Sequence, residues 1–501
     1  MTTFISFARY VLMLFVFFVS EIIYAQTKTA LVADSKTKEA IPFATIKILE
    51  NQGVITNEEG RFSFQVDESY KVIDSIFISS MGYENKAVAL HTPMDSIIYL
   101  EPAAIQLESA FISNKNLSVK EIIDKVEENL VKNYDRNLTE KKLFFRQSDF
   151  DEIDHIDITK YKSTIEAFSK KLVDSVVNFI PRKSEYYQES LCTYNSDFLR
   201  EKLFIEKGAE LYDKENQLSM EGVSDKIKKI IDQNTKPDSY FKLKSGWLPG
   251  FKIELDSIRD EENTVKKNDL TDTVQKASHF AKTRKNTLKW LYSELFFVAD
   301  SKINVIEKSN RYDFMMKDVS VLDDQVVYVI SFEPKRNQDY KGTLYVSTED
   351  FAVVRMEYEN VRRIKNVHLL GVHYQKTLYK GLSIFQKNKN GKYTLKYHEK
   401  KEGETVKVDR PFKIKELNKI VKGRNKQNEL SLNLDIGTSH VSKYQVIVFN
   451  ESEVTEDDFK SATENSAFKP VYHAHYNPDF WKEDAIIEPN KDIQNFTSLE
   501  N

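Results

Sequence analysis

The stretch GVITNEEGRFSF, Gly53 to Phe64, sets turn residues between alternating apolar and aromatic positions. An acidic loop closed by a glycine could hold calcium, but an EF-hand loop needs oxygen ligands at fixed offsets before that glycine. Counting back from Gly60 puts Glu59 and Asn57 at ligand positions, while the first position falls on Ile55, which has no oxygen to offer. The calcium reading fails. The stretch predicts a β-hairpin instead: Val54 to Thr56 as one strand, Asn57 to Gly60 as a turn with Gly60 at positive φ, and Phe62 and Phe64 on one face of the next strand.

Outward from it, Thr29 to Leu100 divides into seven short apolar runs: TALVAD, FATIKIL, GVIT, RFSFQV, SIFIS, KAVAL and SIIYL, parted by turn residues such as Asn51 to Gly53 and Met81-Gly82. Strands at this spacing predict a β-sandwich. Three segments, IPFATIKI, GVITNEEGRFSF and SIFISSMGYENKAV, together resemble the carboxypeptidase-regulatory-like domain, a transthyretin-like sandwich found at the N-terminus of Bacteroidota-type envelope proteins. The matching positions are Ala44 and Ile46, Thr56, Gly60 and Phe62, and Gly82 with Tyr83. Asn57 stands where that family usually has Asp, a change that keeps an oxygen for the turn. The resemblance implies a fold and an envelope setting, and no peptidase activity.

LSVKEIIDKVEENLVKNYDRN follows. Ser118 and Glu121 have capping-box spacing, and Val119, Ile122, Val126, Leu130 and Tyr134 recur at intervals of three and four, so one amphipathic helix is expected. Its apolar stripe is read as packing on its own domain. Beyond it come a strand near Leu143 to Gln147, a helix at VSDKIKKIID, a polar solvated loop from Arg259 to Lys276, and a helix from Ser278 to Phe296. After Lys302 the alternation of DDQVVYVISFEPK, KGTLYVSTED and FAVVRMEYENV predicts an antiparallel meander. A hairpin is centred on Asn390-Gly391, and ELSLNLDIG and YQVIVFN are read as two further strands. The sheet of six or more strands is expected to curl into a half-barrel against the helices. A faint similarity of GTLYVSTEDFAVVRMEY to the strand pair of bacterial lipoprotein-carrier folds points the same way.

The expected organisation is a signal peptide at 1–25, a sandwich at 26–102, a linker and helix at 103–137, a mixed α/β region at 138–300, and a β-rich region at 301–501 packing with it. The signal rests on Arg9, the apolar run Tyr10 to Val19 and a small residue, Ala25, at the cleavage position; an uncleaved anchor is the alternative. A lipid anchor would need a cysteine just after the run, and the one cysteine in the 501 residues is Cys192. No intramolecular disulfide is available, which suits a bacterial periplasm. A net charge of −4 gives no reason to expect nucleic acid. The basic run RPFKIKELNKIVKGRNKQ, Arg410 to Gln427, is diluted by Glu416 and by the acidic residues upstream, and is read as a solvated loop or short helix.

Recognisable catalytic motifs are missing. No histidine has a glutamate three residues on, as a carboxypeptidase zinc pair requires; no Gly-x-Ser-x-Gly elbow occurs, and no glycine-rich phosphate loop. One constellation remains in VYHAHYNPDFW: His473 and His475 would share a strand face, with Asp479 or Glu483 as further metal ligands. Two ligands on one strand leave a zinc shell half empty, so solvent-exposed or aromatic-packed histidines are the simpler reading. Nearby, Phe480 and Trp481 are expected to dock the C-terminal segment by burying their rings. An outer-membrane barrel is disfavoured by charge on both faces of VVRMEYENVRRIK. The sequence therefore points to an exported, non-enzymatic envelope protein without a cofactor, binding a protein partner and peripherally associated with the outer membrane. A half-barrel lipid or lipoprotein carrier, and a hydrolase built on His473 and His475, are the alternatives.

Overall fold

The computed structural model describes residues 26–498 except 50–51, 67–73, 91–92, 104–116, 237, 247–250, 255–268, 323–324, 419, 421–424, 482–483 and 485. The expected signal, most of the linker before Leu117, and Glu483 lie outside the described residues. The first seven strands are β1 (Gln26–Asp34), β2 (Thr45–Leu49), β3 (Gln52–Ile55), β4 (Arg61–Val66), β5 (Ser75–Ser79), β6 (Lys86–Ala89) and β7 (Ile97–Leu100). They form two sheets, ordered β4-β1-β7 and β3-β2-β5-β6. Val32, Ala44, Ile46, Val54, Phe62, Ile76, Ile78 and Leu100 fill the space between them.

The sandwich is as expected, but Gly53–Phe64 is not a hairpin. β3 pairs with β2 in one sheet, and β4 pairs with β1 in the other. The turn is an arch that carries the chain from sheet to sheet. Thr56 decides this: its buried hydroxyl accepts a hydrogen bond from Ala44 N at 2.8 Å and donates to Ile41 O at 2.9 Å, tying the chain to the segment before β2. Val54 and Phe62 then enter one core from opposite sides. Gly60 has φ +73°, and a Cβ there would lie 2.8 Å from Val32 O.

The remaining strands are β8 (Thr139–Ser163), β9 (Lys183–Ser196), β10 (Glu201–Tyr212), β11 (Ser239–Ser245), β12 (Phe251–Glu254), β13 (Tyr312–Leu322), β14 (Gln325–Pro334), β15 (Tyr340–Ser347), β16 (Val353–Asn360), β17 (Lys365–Leu369), β18 (Val372–Lys387), β19 (Tyr393–Asn418), β20 (Lys426–Glu453) and β21 (Val471–His473). They make one 14-stranded sheet, ordered β13-β14-β15-β16-β18-β19-β20-β8-β9-β10-β21, with β17 on β18 and β11 and β12 beyond β19. The sheet is antiparallel except for β21 on β10, and it does not close. The helices are α1 (Val119–Asn133), α2 (Lys170–Phe179), α3 (Lys214–Asn234), α4 (Asp269–Ser293), α5 (Glu456–Ser461) and α6 (Lys491–Asn495).

Three local expectations change. ELSLNLDIG and YQVIVFN belong to the single strand β20, because the polar stretch between them, Thr438 to Lys443, keeps its ladder with both β19 and β8. Within the basic run, Arg410 to Asn418 lies in β19 and Lys426 begins β20, so alternating lysines decorate strands where a loop or helix was expected. Residues 269–276 are helical and belong to α4; the rest of the expected polar loop, 259–268, lies outside the described residues.

The large sheet is covered on both faces near its centre. Leu143 and Phe145 enter one core while Phe144 between them enters the other, and all three are fully buried. This is why KLFF and QVIVF read as unbroken apolar runs rather than alternating ones. On the first face, α1 delivers Ile122, Ile123 and Val126, and α4 delivers Leu288, Leu291 and Tyr292. The capping box of α1 forms as expected, and Tyr134 at its end both donates to Val353 O and accepts from Val353 N, each at 2.8 Å.

Gly60→Val is expected to cost roughly 1–3 kcal/mol through backbone strain, and Phe62→Ala roughly 3–5 kcal/mol through the emptied core. Urea unfolding of the full chain, followed by the first transition, measures both.

Candidate functional site

The second face of the large sheet carries a row of side chains, polar except for Leu382, set directly opposite one another. From β16 to β9 the register brings Glu357, Leu382, Glu399, Gln445, Arg146 and Glu189 into line. At its inner end Arg146 and Glu189 are 1% and 0% exposed. Arg146 Nε donates to Glu189 Oε1 at 2.6 Å, its Nη2 donates to Ile487 O at 2.9 Å, and Trp481 Nε1 donates to Glu189 Oε2 at 2.7 Å. A buried ion pair is tolerable only when its remaining atoms are satisfied, and here the C-terminal segment supplies those partners. Trp481 also packs edge-on against Phe144, with ring centroids 5.3 Å apart. The expected docking through Trp481 is therefore observed, anchored by a salt bridge that the sequence reading did not single out. A lone Arg in LFFRQ and a lone Glu in YYQESL, each inside an apolar run, are the signal it could have used.

The same segment holds the arch of the sandwich. Asn57 Oδ1 accepts from Glu59 N and Arg61 N, both at 2.9 Å, which shapes the turn, while its Nδ2 donates to Pro489 O at 3.2 Å. Ser63 Oγ donates to Glu488, and Lys491 N donates to Glu59 Oε1 at 3.0 Å. Glu58 reaches Lys443 on the sheet at 2.6 Å, and Lys443 lies 3.5 Å from Glu399. Tyr397 donates to Glu399 at 2.9 Å, and Gln445 donates to both. Phe43 packs on Tyr397 at 5.5 Å. On the far side Gly82, at φ +79°, donates to Val321 O at 3.2 Å, and Tyr83 donates to Asp34 at 2.9 Å. Of the residues that carried the family resemblance, Gly82 contacts the large sheet directly, while Asn57, where the chain departs from that family, bonds the tail.

Beside this joint an open cleft of about 530 Å³ lies between Pro42 and Phe43 of the sandwich and the outer part of the polar row, with Lys341, Arg355, Glu357 and Lys380 on its floor. Its charges are paired across and along strands: Arg355 with Glu357 at 2.6 Å, Lys341 with Glu359 at 3.0 Å. Such a surface suits a charged or polar partner.

Two buried cations hold α4 to the other face. Arg284 is 0% exposed, stacks 3.4 Å over Phe145 and donates to Phe145 O at 2.6 Å; burial lowers its guanidinium to about 10. Lys400, also 0% exposed, contacts Glu294, donates to Tyr379 at 2.6 Å and sits 3.8 Å over the Trp290 ring. Burial lowers Lys400 to about 7, against the opposing pull of Glu402. A pair of this kind resembles an activated amine, but with no exposed surface it has no route to a substrate and serves to seat the helix.

The C-terminal histidines do not converge on an ion. His473 ends β21, half-buried, with its ring 4.9 Å from Phe480 and its Nε2 buried without a partner; burial lowers its pKa. His475 lies exposed past the strand, bridging to Thr497, and Asp479 is exposed in a short 3-10 turn. Among the described residues no group of three or more His, Cys, Asp or Glu is placed to hold a metal.

Fold and joint together define a mainly β protein of two docked parts. No family model matches the chain, and no curated protein matches it. Two solved structures are similar over much of their length: the complex of Pseudomonas aeruginosa MucA and MucB, and MucB in complex with MucA(peri). Each is 6% identical and 92% covered, spanning 62% and 63% of this chain, with a TM-score of 0.15. A likeness that low carries no inference about function.

Arg146→Met is expected to cost roughly 3–5 kcal/mol by stranding a buried carboxylate, and Arg146→Met with Glu189→Met to recover most of it; urea unfolding of both variants checks the pair. The joint should also be acid-sensitive. Burial works to raise Glu58, but Lys443, with Lys401 and Lys380, holds it below its ordinary 4.5. A carboxylate lowered on folding stabilises above its unfolded value and loses that contribution as pH falls through its folded value. The stability gap between the natural chain and Lys443→Met should therefore be full at pH 7 and shrink below about pH 4.5. Denaturation midpoints across that range measure it; a gap that does not change with pH would remove Glu58 from the joint.

Proposed function

We propose that this chain is an exported, non-enzymatic cell-envelope protein whose task is to bind or assemble with another envelope protein. The observation that carries the reading is the open edge at β17. Its five residues are all exposed, among the described residues it pairs with β18 alone, and Val367 and Leu369 present apolar side chains beside its outer backbone groups. Natural edges are usually shortened, charged or covered, and an extended partner segment can add to such an edge through main-chain hydrogen bonds. The paired charges of the neighbouring cleft supply a polar rim. The sandwich resemblance and the N-terminal apolar run support the envelope setting, with peripheral outer-membrane association.

The carrier reading draws on a different observation. At the distal end of the sheet Leu430, Leu432, Leu434 and Ile436 alternate on one face, in register with Ile414, Phe412, Ile158 and Ile156, and the β20 residues are only half-buried. A half-covered apolar face of this kind could hold an acyl chain.

A photo-crosslinker at Leu369 in intact cells is expected to capture one defined protein, and Asn366→Pro, which removes an outward-facing edge donor and leaves the ladder to β18 intact, to abolish that capture. The fragment from Leu117 onward should retain at least part of it. Capture unaffected by the proline, or turnover of peptide, ester or glycoside substrates by the purified chain, would overturn the binding reading; lipid co-purifying in stoichiometric amount would favour the carrier.

A further inference from the structure

The β17–β18 hairpin carries a constellation that partner binding does not use. Leu370 and Gly371 join the strands at φ +55° and +78°, the two positive values of a type I′ turn. The turn is pinned from outside: Arg410 donates to Leu370 O, and Asp409 N donates to Gly371 O at 2.8 Å. In the register so fixed His368 faces His373, and the next pair on the same face is Asn366 with Gln375. The two imidazole rings lie 3.6 Å apart at 41°. His368 is exposed and His373 half-buried. Among the described residues neither ring has a hydrogen-bond partner, whereas His155, His398 and His440 are each bonded to Asp or Ser. Asn366, on the same face, accepts through its Oδ1 from Gln375 Nε2 at 3.2 Å.

We propose that this hairpin is a copper(II) clip, with His368 and His373 supplying imidazole nitrogens, Asn366 an amide oxygen, and water the remaining positions. Mixed nitrogen and oxygen donors in a tetragonal arrangement suit Cu²⁺, which also stands highest in the affinity order of the divalent first-row ions. Two imidazoles at right angles around one ion, with metal–nitrogen bonds of about 2.0–2.1 Å, hold their centroids about 4.5 Å apart. The rings must open by about 1 Å, which rotation between side-chain wells supplies at a surface site. Lys407 lies across from His373 in register, but its ammonium is 3.7 Å from Asp435. The register fixes the two strands before the ion arrives, so that only the imidazole rings need to turn. Binding consumes no electrons and forms no covalent product.

The test uses the full chain, purified without an affinity tag, stripped with chelator and titrated with Cu²⁺ alone, so it is independent of any protein partner. One copper per chain is expected, with an electron paramagnetic resonance spectrum showing nitrogen coupling. His368→Gln and His373→Gln should each weaken binding by roughly tenfold or more, while His475→Gln should leave it unchanged. Undiminished copper binding by the double His368→Gln, His373→Gln variant, or no saturable binding by the natural chain, would overturn the assignment. If a variant fails to fold, paramagnetic broadening in the natural chain decides the matter: confined to β17–β18 it supports the clip, and centred elsewhere it refutes it.

Discussion

The ion pair of Arg146 and Glu189 is the constraint on which the assembly of this molecule depends. Two charges removed from water at the middle of a sheet need every remaining donor and acceptor satisfied. Ile487 O and Trp481 Nε1 do this, and both come from the C-terminal segment. That segment covers the second face with Trp481, Ile486, Ile487 and Ile493, so the pair and the apolar core on that face form together. Pro489, Glu488 and Lys491 then receive the arch of the sandwich. The order of dependence runs from sheet to tail to sandwich.

Both faces of the sheet are thus covered near its centre by different means. Helices cover the first face, and they are seated by Arg284 and Lys400, whose charges reach across an otherwise apolar interface. An irregular tail covers the second face, seated by Arg146. Away from the centre the cover thins: the β17 hairpin is exposed, and the distal end of β20 is half-buried. Rigid, doubly covered strands in the middle with bare edges outside give a frame that can present an edge without losing its own register.

The N-terminal strands were legible because each has a period of two and is closed by turn residues, so all seven appear near their expected places. The capping box of α1 and the Asn390-Gly391 turn were legible for the same reason: the determining atoms lie within a few residues of one another. Gly53–Phe64 shows where this stops. Its turn chemistry is local, and Asn57 and Gly60 behave as expected. Whether the flanking strands pair with each other depends on Thr56 reaching Ile41 and Ala44, a contact the spacing of the stretch does not contain. Similarly, the lysines of β19 look solvated in sequence because their ladder partners lie in β11 and β20.

The sequence by itself determined the strand-rich composition, the sandwich strands, the helix that follows them and the meander of the second part, since each is written in short-range periodicity. Only the tertiary structure decided which strands share a sheet, how the tail closes over Arg146 and Glu189, and that His368 and His373 meet while His473, His475 and Asp479 do not. Those outcomes depend on pairings between residues as far apart as Asn57 and Pro489. A hydrogen bond across such a separation leaves no spacing rule in the chain, because the loop between the partners sets the entropy of the contact but not its identity.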